Sequence, residues 1–124
     1  MTERERVLEG ILGIAHATST SGGLSLEQAL ERASYQAHRS AVSAFALLEI
    51  LRLKPELAEQ WLRYSEDKRT TGGWYVKHDG EVGRVLMPES RVAFDTTPEA
   101  VAEYVLRELD YWAASLGLGK GHQG

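Results

Sequence analysis

The chain reads as an α+β protein: N-terminal helices, a three-stranded antiparallel β-meander, and a C-terminal helix. Three observations carry that reading. Residues 1–69 repeat apolar side chains at three- and four-residue steps, the period of a helix with one buried face. Residues 70–95 change to glycine, β-branched and aromatic residues around the turn pair Asp79-Gly80. Residues 97–116 return to helical spacing after Thr97-Pro98. The connections are short and there is no repeat, so one domain over residues 1–124 is expected, with residues 117–124 as a flexible tail.

The first helix is expected from Thr2, where Thr2 and Glu5 have capping-box spacing, and its stripe is Val7, Leu8, Ile11, Ile14 and Ala15. Residues 16–23 read as a Ser/Thr/Gly linker. A second helix opens at Ser25, capped by Gln28, and reads as one long element to Leu53, where Pro55 constrains the residue before it. Its half from Phe45 to Leu51 is apolar nearly all round, the mark of a central helix covered on several sides. The third helix starts at Pro55 and buries Leu57, Ala58, Trp61, Leu62 and Tyr64.

Asp79-Gly80 predicts a two-residue type I′ turn between strands 74–78 and 81–87. That register sets Tyr75 opposite Arg84 on the outer face and makes Trp74, Val76, Val85 and Met87 the core face. Pro88-Glu89 is the next turn and residues 91–95 the third strand. The last helix starts at Thr97 as N-cap, with Pro98 and Glu99 in its first turn, and ends near Gly117.

Composition narrows function by exclusion. Fourteen Lys and Arg against eighteen Asp and Glu give a net charge of −4, which argues against a general nucleic-acid binder. A local basic patch of Lys68, Arg69, Lys77, Arg84 and Arg91 is the only countervailing feature. Cysteine is absent, so thiolate metal sites and cysteine nucleophiles are excluded. His16, His38, His78 and His122 lack ligand spacing, so neither a metal nor another cofactor is expected. No secretory pattern or 20-residue apolar run appears; a cytoplasmic protein without membrane association is expected.

Two readings of function remain. The first is a small non-catalytic protein-interaction module (an inhibitor, an immunity-type or a regulatory protein) that forms a homodimer. Three tryptophans and five tyrosines against two phenylalanines favour it, because Trp and Tyr are enriched at interfaces. Its binding residues would be Trp74, Tyr75, Arg84 and Tyr111. The dimer seam would be Ala33, Ala37, Ala41, Ala44, Leu48 and Leu51 along one long helix. The alternative is a small enzyme or ligand-binding protein. On a continuous helix Glu31, Tyr35, His38 and Glu49 share one stripe, with Arg39 nearby, and Glu49 stands out as a carboxylate in apolar sequence.

Overall fold

A computed structural model describes residues 3–19, 25–67 and 73–115. These form seven α-helices and three strands, in the order helices, meander, helix. The α+β architecture read from the sequence is the one the chain adopts.

Helix α1 (Glu3–Leu12) passes through Gly13 into α2 (Ile14–Ser19). The Gly13 amide still donates to the Glu9 carbonyl and the Ala17 amide to Gly13, so the helical path barely breaks. It therefore runs into the segment read as linker. Thr18 helps hold it there by donating its hydroxyl back to the Ile14 and Ala15 carbonyls. Leu8, Ile11, Leu12, Ile14 and Ala15 are its buried face. The Thr2 cap, the linker glycines, Lys68, Arg69, Thr70 to Gly72, the Gly117 cap and the tail lie outside the described residues.

The capping box at Ser25 forms as expected: the hydroxyl accepts from Gln28 N–H, and the Ser25 amide donates to the Gln28 side chain. The long second helix does not. The chain instead makes α3 (Leu26–Arg32), α4 (Tyr35–His38), one 3-10 turn (Arg39–Ala41) and α5 (Ala44–Leu53). Ser34 adopts φ 54°, ψ 41°, the left-handed region, and ends α3. Ser43 is extended and its hydroxyl caps the Ala46 amide, restarting a helix there. Serines compete for backbone groups and so favour caps and turns over helix interiors. The alanine content hid two such sites. The small-residue seam is accordingly split over several elements, with Ala37 and Ala41 exposed and Leu51 buried.

A polar clamp fixes the broken segment to the last helix, α7 (Thr97–Ser115). Tyr35, fully buried, donates to Asp110 Oδ1 at 2.7 Å; Arg39 grips both Asp110 oxygens at 2.7 Å and also donates to the Val42 carbonyl at 3.0 Å. The bidentate geometry is favourable. The Arg39 and Asp110 side chains stay 37% and 42% exposed, however, so water screens the pair. Asp110→Ala is expected to cost about 1 to 2 kcal/mol, checked by urea denaturation, rather than the larger loss of a buried pair.

Helix α6 (Pro55–Asp67) starts at the proline as expected. Trp61 is fully buried, stands edge-on to Tyr64 and Tyr104, and donates its indole N–H to the Leu12 carbonyl at 2.8 Å. Lys54, between α5 and α6, pairs with Glu9 of α1. The central element is α7 rather than α5: it buries eight residues and packs on α5, α6, β1 (Trp74–Val76) and β2 (Glu81–Arg84). The outer face of α5 stays open, with Phe45 69% exposed.

The sheet order is β1-β2-β3, with β3 spanning Met87–Ala93. The register differs from the two-residue turn by one position. Trp74 faces Arg84, Tyr75 faces Gly83 and Val76 faces Val82. The loop holds His78, Asp79 and Gly80: the Lys77 amide donates to Glu81, the Gly80 amide returns to Lys77, and Gly80 sits at φ 94°. A type I turn closed by a left-handed glycine is the usual three-residue alternative. The buried face therefore carries Val76 and Val82, and Met87 is exposed. Strand β2 also ends early, at a turn through Val85 and Leu86 with Leu86 at φ 65°. β3 then bulges around Pro88 to Arg91. There Ser90 Oγ accepts from the Arg84 amide and donates to the Met87 carbonyl, both at 2.7 Å. A bulge with proline and charge on an edge strand opposes strand addition. The α7 cap also sits one residue earlier than expected, since Thr96 Oγ accepts from the Glu99 amide; Thr97 instead donates to the His78 carbonyl.

Candidate functional site

Three of the four residues expected to bind a partner converge where the hairpin meets α7. Steps of four place Glu103, Arg107 and Tyr111 on one stripe of that helix. The inner face of the hairpin sets Trp74 directly across from Arg84. The Arg84 guanidinium lies over the Tyr111 ring at 5.1 Å, and the Arg107 guanidinium over the Trp74 ring at 4.9 Å. Glu103 accepts from Arg107 Nε at 2.8 Å, and Trp112 stands edge-on to Tyr111 at 5.1 Å. Each cation–π contact contributes about 0.5 to 1 kcal/mol where partly exposed. The result is a half-buried surface of aromatic rings and guanidinium groups, the side-chain types that dominate binding hot spots.

Tyr75, the fourth, is on the opposite face of the hairpin. Its ring crosses Gly83, where a Cβ would meet the hydroxyl at 2.6 Å, and that hydroxyl donates to Glu81 at 2.6 Å. Lys77 lies 5.6 Å from the ring centre and 3.6 Å from Glu81. The expected Tyr75–Arg84 pair is thus replaced by two separate ones, each arginine or lysine taking the aromatic on its own face.

Beneath the cluster lies a residue that sequence reasoning passed over. Glu108 is the one fully buried charged side chain among the described residues. Its Oε1 accepts the Trp74 amide at 2.7 Å. That amide points away from β2, toward the free edge of the sheet. Two residues on, Ser65 of α6 does the same work: its Oγ accepts the Val76 amide at 2.9 Å and donates to the Val76 carbonyl at 3.2 Å. Side chains from two helices therefore close the edge of β1 with hydrogen bonds that another strand would otherwise supply. The signal was available, since Glu108 sits between the core positions Val105 and Leu109.

The tyrosines shift together. Burial, then the Asp110 hydrogen bond, raises Tyr35 well above the usual phenol range; burial, then Glu108, raises Tyr64 and Tyr104. Tyr75 is pushed up to about 12, by burial first and by Glu81 second. An unfolded phenol ionises near pH ~10. Above that pH the unfolded chain binds fewer protons than the folded one, so stability falls as pH rises. The contribution is complete below pH ~10 and is lost progressively above it, by up to about 1.4 kcal/mol per pH unit for each fully buried phenol. A urea-denaturation series is expected to be level to about pH 9.5 and to drop above it, with a shallower slope in Tyr35→Phe. An unchanged midpoint up to about pH 11.5 would contradict this.

The alternative face does not assemble. Tyr35 is buried in the Asp110 clamp. Glu31 borders the same groove of about 260 Å³ as Tyr35. His38, whose Nδ1 lies 3.1 Å from the Ser34 carbonyl, borders a second of about 330 Å³, and Glu49 is exposed beside a third of about 470 Å³. The break at Ser43 puts Glu49 on α5, apart from the others, whereas Tyr35 and His38 share α4 and border different grooves. Among the described residues there is no group of three or more His, Cys, Asp or Glu placed to hold a metal ion, and no helix long and apolar enough to cross a membrane. No family model, no curated protein and no solved structure matches the chain.

Proposed function

We propose that the chain is a non-catalytic protein-interaction module, of inhibitor, immunity or regulatory type, that binds a protein partner and also its own copy. One contrast carries the reading. Side chains with reactive potential are occupied in joining elements: Tyr35, Arg39 and Asp110 join α4 to α7, Glu108 and Ser65 close the sheet edge, and Glu81 holds Tyr75. Large apolar side chains meanwhile face outward on α5 and on the hairpin, as Phe45, Leu53, Leu86 and Met87. Exposed apolar groups next to aromatic and arginine side chains suit recognition of a protein surface. The split of Glu31, Tyr35 and His38 over two grooves gives the enzyme or ligand-binding alternative less support.

The test is affinity capture from the native host with the wild-type chain and with Arg84→Glu, Tyr111→Ala and Tyr75→Ala, each first shown to be folded by circular dichroism. A partner held in stoichiometric amount by the wild type and lost from Arg84→Glu is the expected result. Absence of any such partner, with a melting-temperature rise on adding a metal ion or nucleotide that His38→Ala abolishes, would transfer the assignment to the ligand-binding alternative.

A further inference from the structure

We infer that the outer face of α5 is the self-association surface, paired antiparallel with α5 of a second copy across a two-fold axis. The inference rests on the interaction-module reading and specifies its homotypic contact.

The face is defined by what α5 leaves out of the core. Ala46, Leu47, Ile50 and Leu51 point inward. At about 100° per residue, Phe45, Leu48, Glu49, Arg52 and Leu53 span an arc of roughly 140° on the other side. Phe45 is 69% and Leu53 80% exposed, and Leu48 is half-buried. Two of the most exposed large apolar side chains thus share one ten-residue helix. Between them stand one carboxylate and one guanidinium, both exposed, and among the described residues neither enters an ion pair.

Charge selects the occupant. Glu49 and Arg52 cancel on this face of α5; Arg4 and Glu5 of α1 stand together in the groove beside Glu49, and at the Leu48 edge Glu99 stands beside a Glu103 paired with Arg107. The complement of the α5 face is the same sequence reversed in direction. In an antiparallel pair whose facing residue numbers add to 101, Glu49 faces Arg52 of the second copy and Arg52 faces Glu49. Leu48 and Leu53 lie at opposite edges of the arc and flank the pair, while Phe45, near its middle, is offset from Leu53 of the second copy by three residues, about 4.5 Å along the axis at about 1.5 Å per residue. The two Glu49 carboxylates are offset by the same about 4.5 Å and are each screened by an arginine. Two apolar clusters flank two ion pairs, and every contact occurs twice, as an isologous interface requires. A pair of three-turn helices covers less than the about 800 Å² per partner of a stable complex, so association is reversible and sets in at micromolar concentration or above.

Sedimentation velocity on the full chain from about 5 to about 500 µM tests it. The wild type is expected to move from monomer toward dimer over that range. Glu49→Arg and Arg52→Glu alone each place like charges face to face and should weaken association at least about tenfold. An equimolar mixture of the two variants restores it, because one then presents two arginines and the other two glutamates. Neither residue is in the core, so both variants fold. A dimer insensitive to the two exchanges, or one disrupted by Ala41→Glu instead, would overturn this surface and leave self-association standing. A wild type that stays monomeric throughout would overturn both.

Discussion

Glu108→Ala is expected to destabilise the protein by about 3 kcal/mol, although it removes a buried carboxylate. Taking a carboxylate out of water is expensive, and a well-packed apolar replacement often costs little. Here the carboxylate is an acceptor that the backbone needs. Without it the Trp74 amide, directed at the free edge of the sheet, loses the acceptor Glu108 Oε1. An orphaned buried donor costs about 1 to 3 kcal/mol, and the hydroxyls of Tyr64 and Tyr104 lose the group they lie against as well. Glu108→Gln keeps an acceptor oxygen at the same reach and removes the charge, so it should cost only about 1 kcal/mol. Urea denaturation measures both. Hydrogen exchange gives the location: the Trp74 amide should exchange much faster in Glu108→Ala, while Val76, held by Ser65, keeps its protection. A loss below about 0.5 kcal/mol with unchanged Trp74 exchange would show that the edge is closed by other means.

What the sequence made legible were features whose cause is local. Ser25 and Gln28 satisfy one another's backbone groups within one turn, Pro55 is preorganised for a helix start, and glycine with β-branched residues marks the hairpin. The features it concealed have causes distant in the chain. Nothing near Ser34 demands a left-handed residue; the break lets Tyr35 and Arg39 turn toward Asp110, 71 to 75 residues away. The turn at Leu86 carries no glycine or asparagine to announce its positive φ. The place of Glu108 between Val105 and Leu109 marks it as buried, but its role as an acceptor stays hidden until β1 is laid against it. The putting together of Trp74, Arg84 and Tyr111 was visible as residue types, but their contacts required the true register. The single stripe of Glu31, Tyr35, His38 and Glu49 assumed one helix through Ser34 and Ser43, where the chain breaks.

That register depends on one glycine, and Gly80→Val is expected to show it, with a loss of about 3 kcal/mol or more. A two-residue type I′ turn would place both Asp79 and Gly80 at positive φ. The chain instead spends positive φ on Gly80 alone, at 94°, and inserts His78 into the loop. Valine is doubly excluded there. A β-branched side chain strongly resists positive φ. A Cβ at this position would also collide with the Phe94 carbonyl oxygen, a backbone atom that cannot swing aside as a long side chain would. The Phe94 amide donates to the Gly80 carbonyl at 2.9 Å, so displacing either residue breaks the first rung between β2 and β3. Thr97 adds a further constraint, because its hydroxyl holds the His78 carbonyl and thereby ties the loop to the start of α7. Gly80→Ala removes the branching and keeps the collision, so it should lie between the wild type and valine. Asp79→Ala loses only the bond from the Glu81 amide and should cost less than about 1 kcal/mol. If valine left the denaturation midpoint unchanged, residue 80 would not hold a positive φ, and both the three-residue loop and a type I′ turn would be ruled out as the closure of this hairpin.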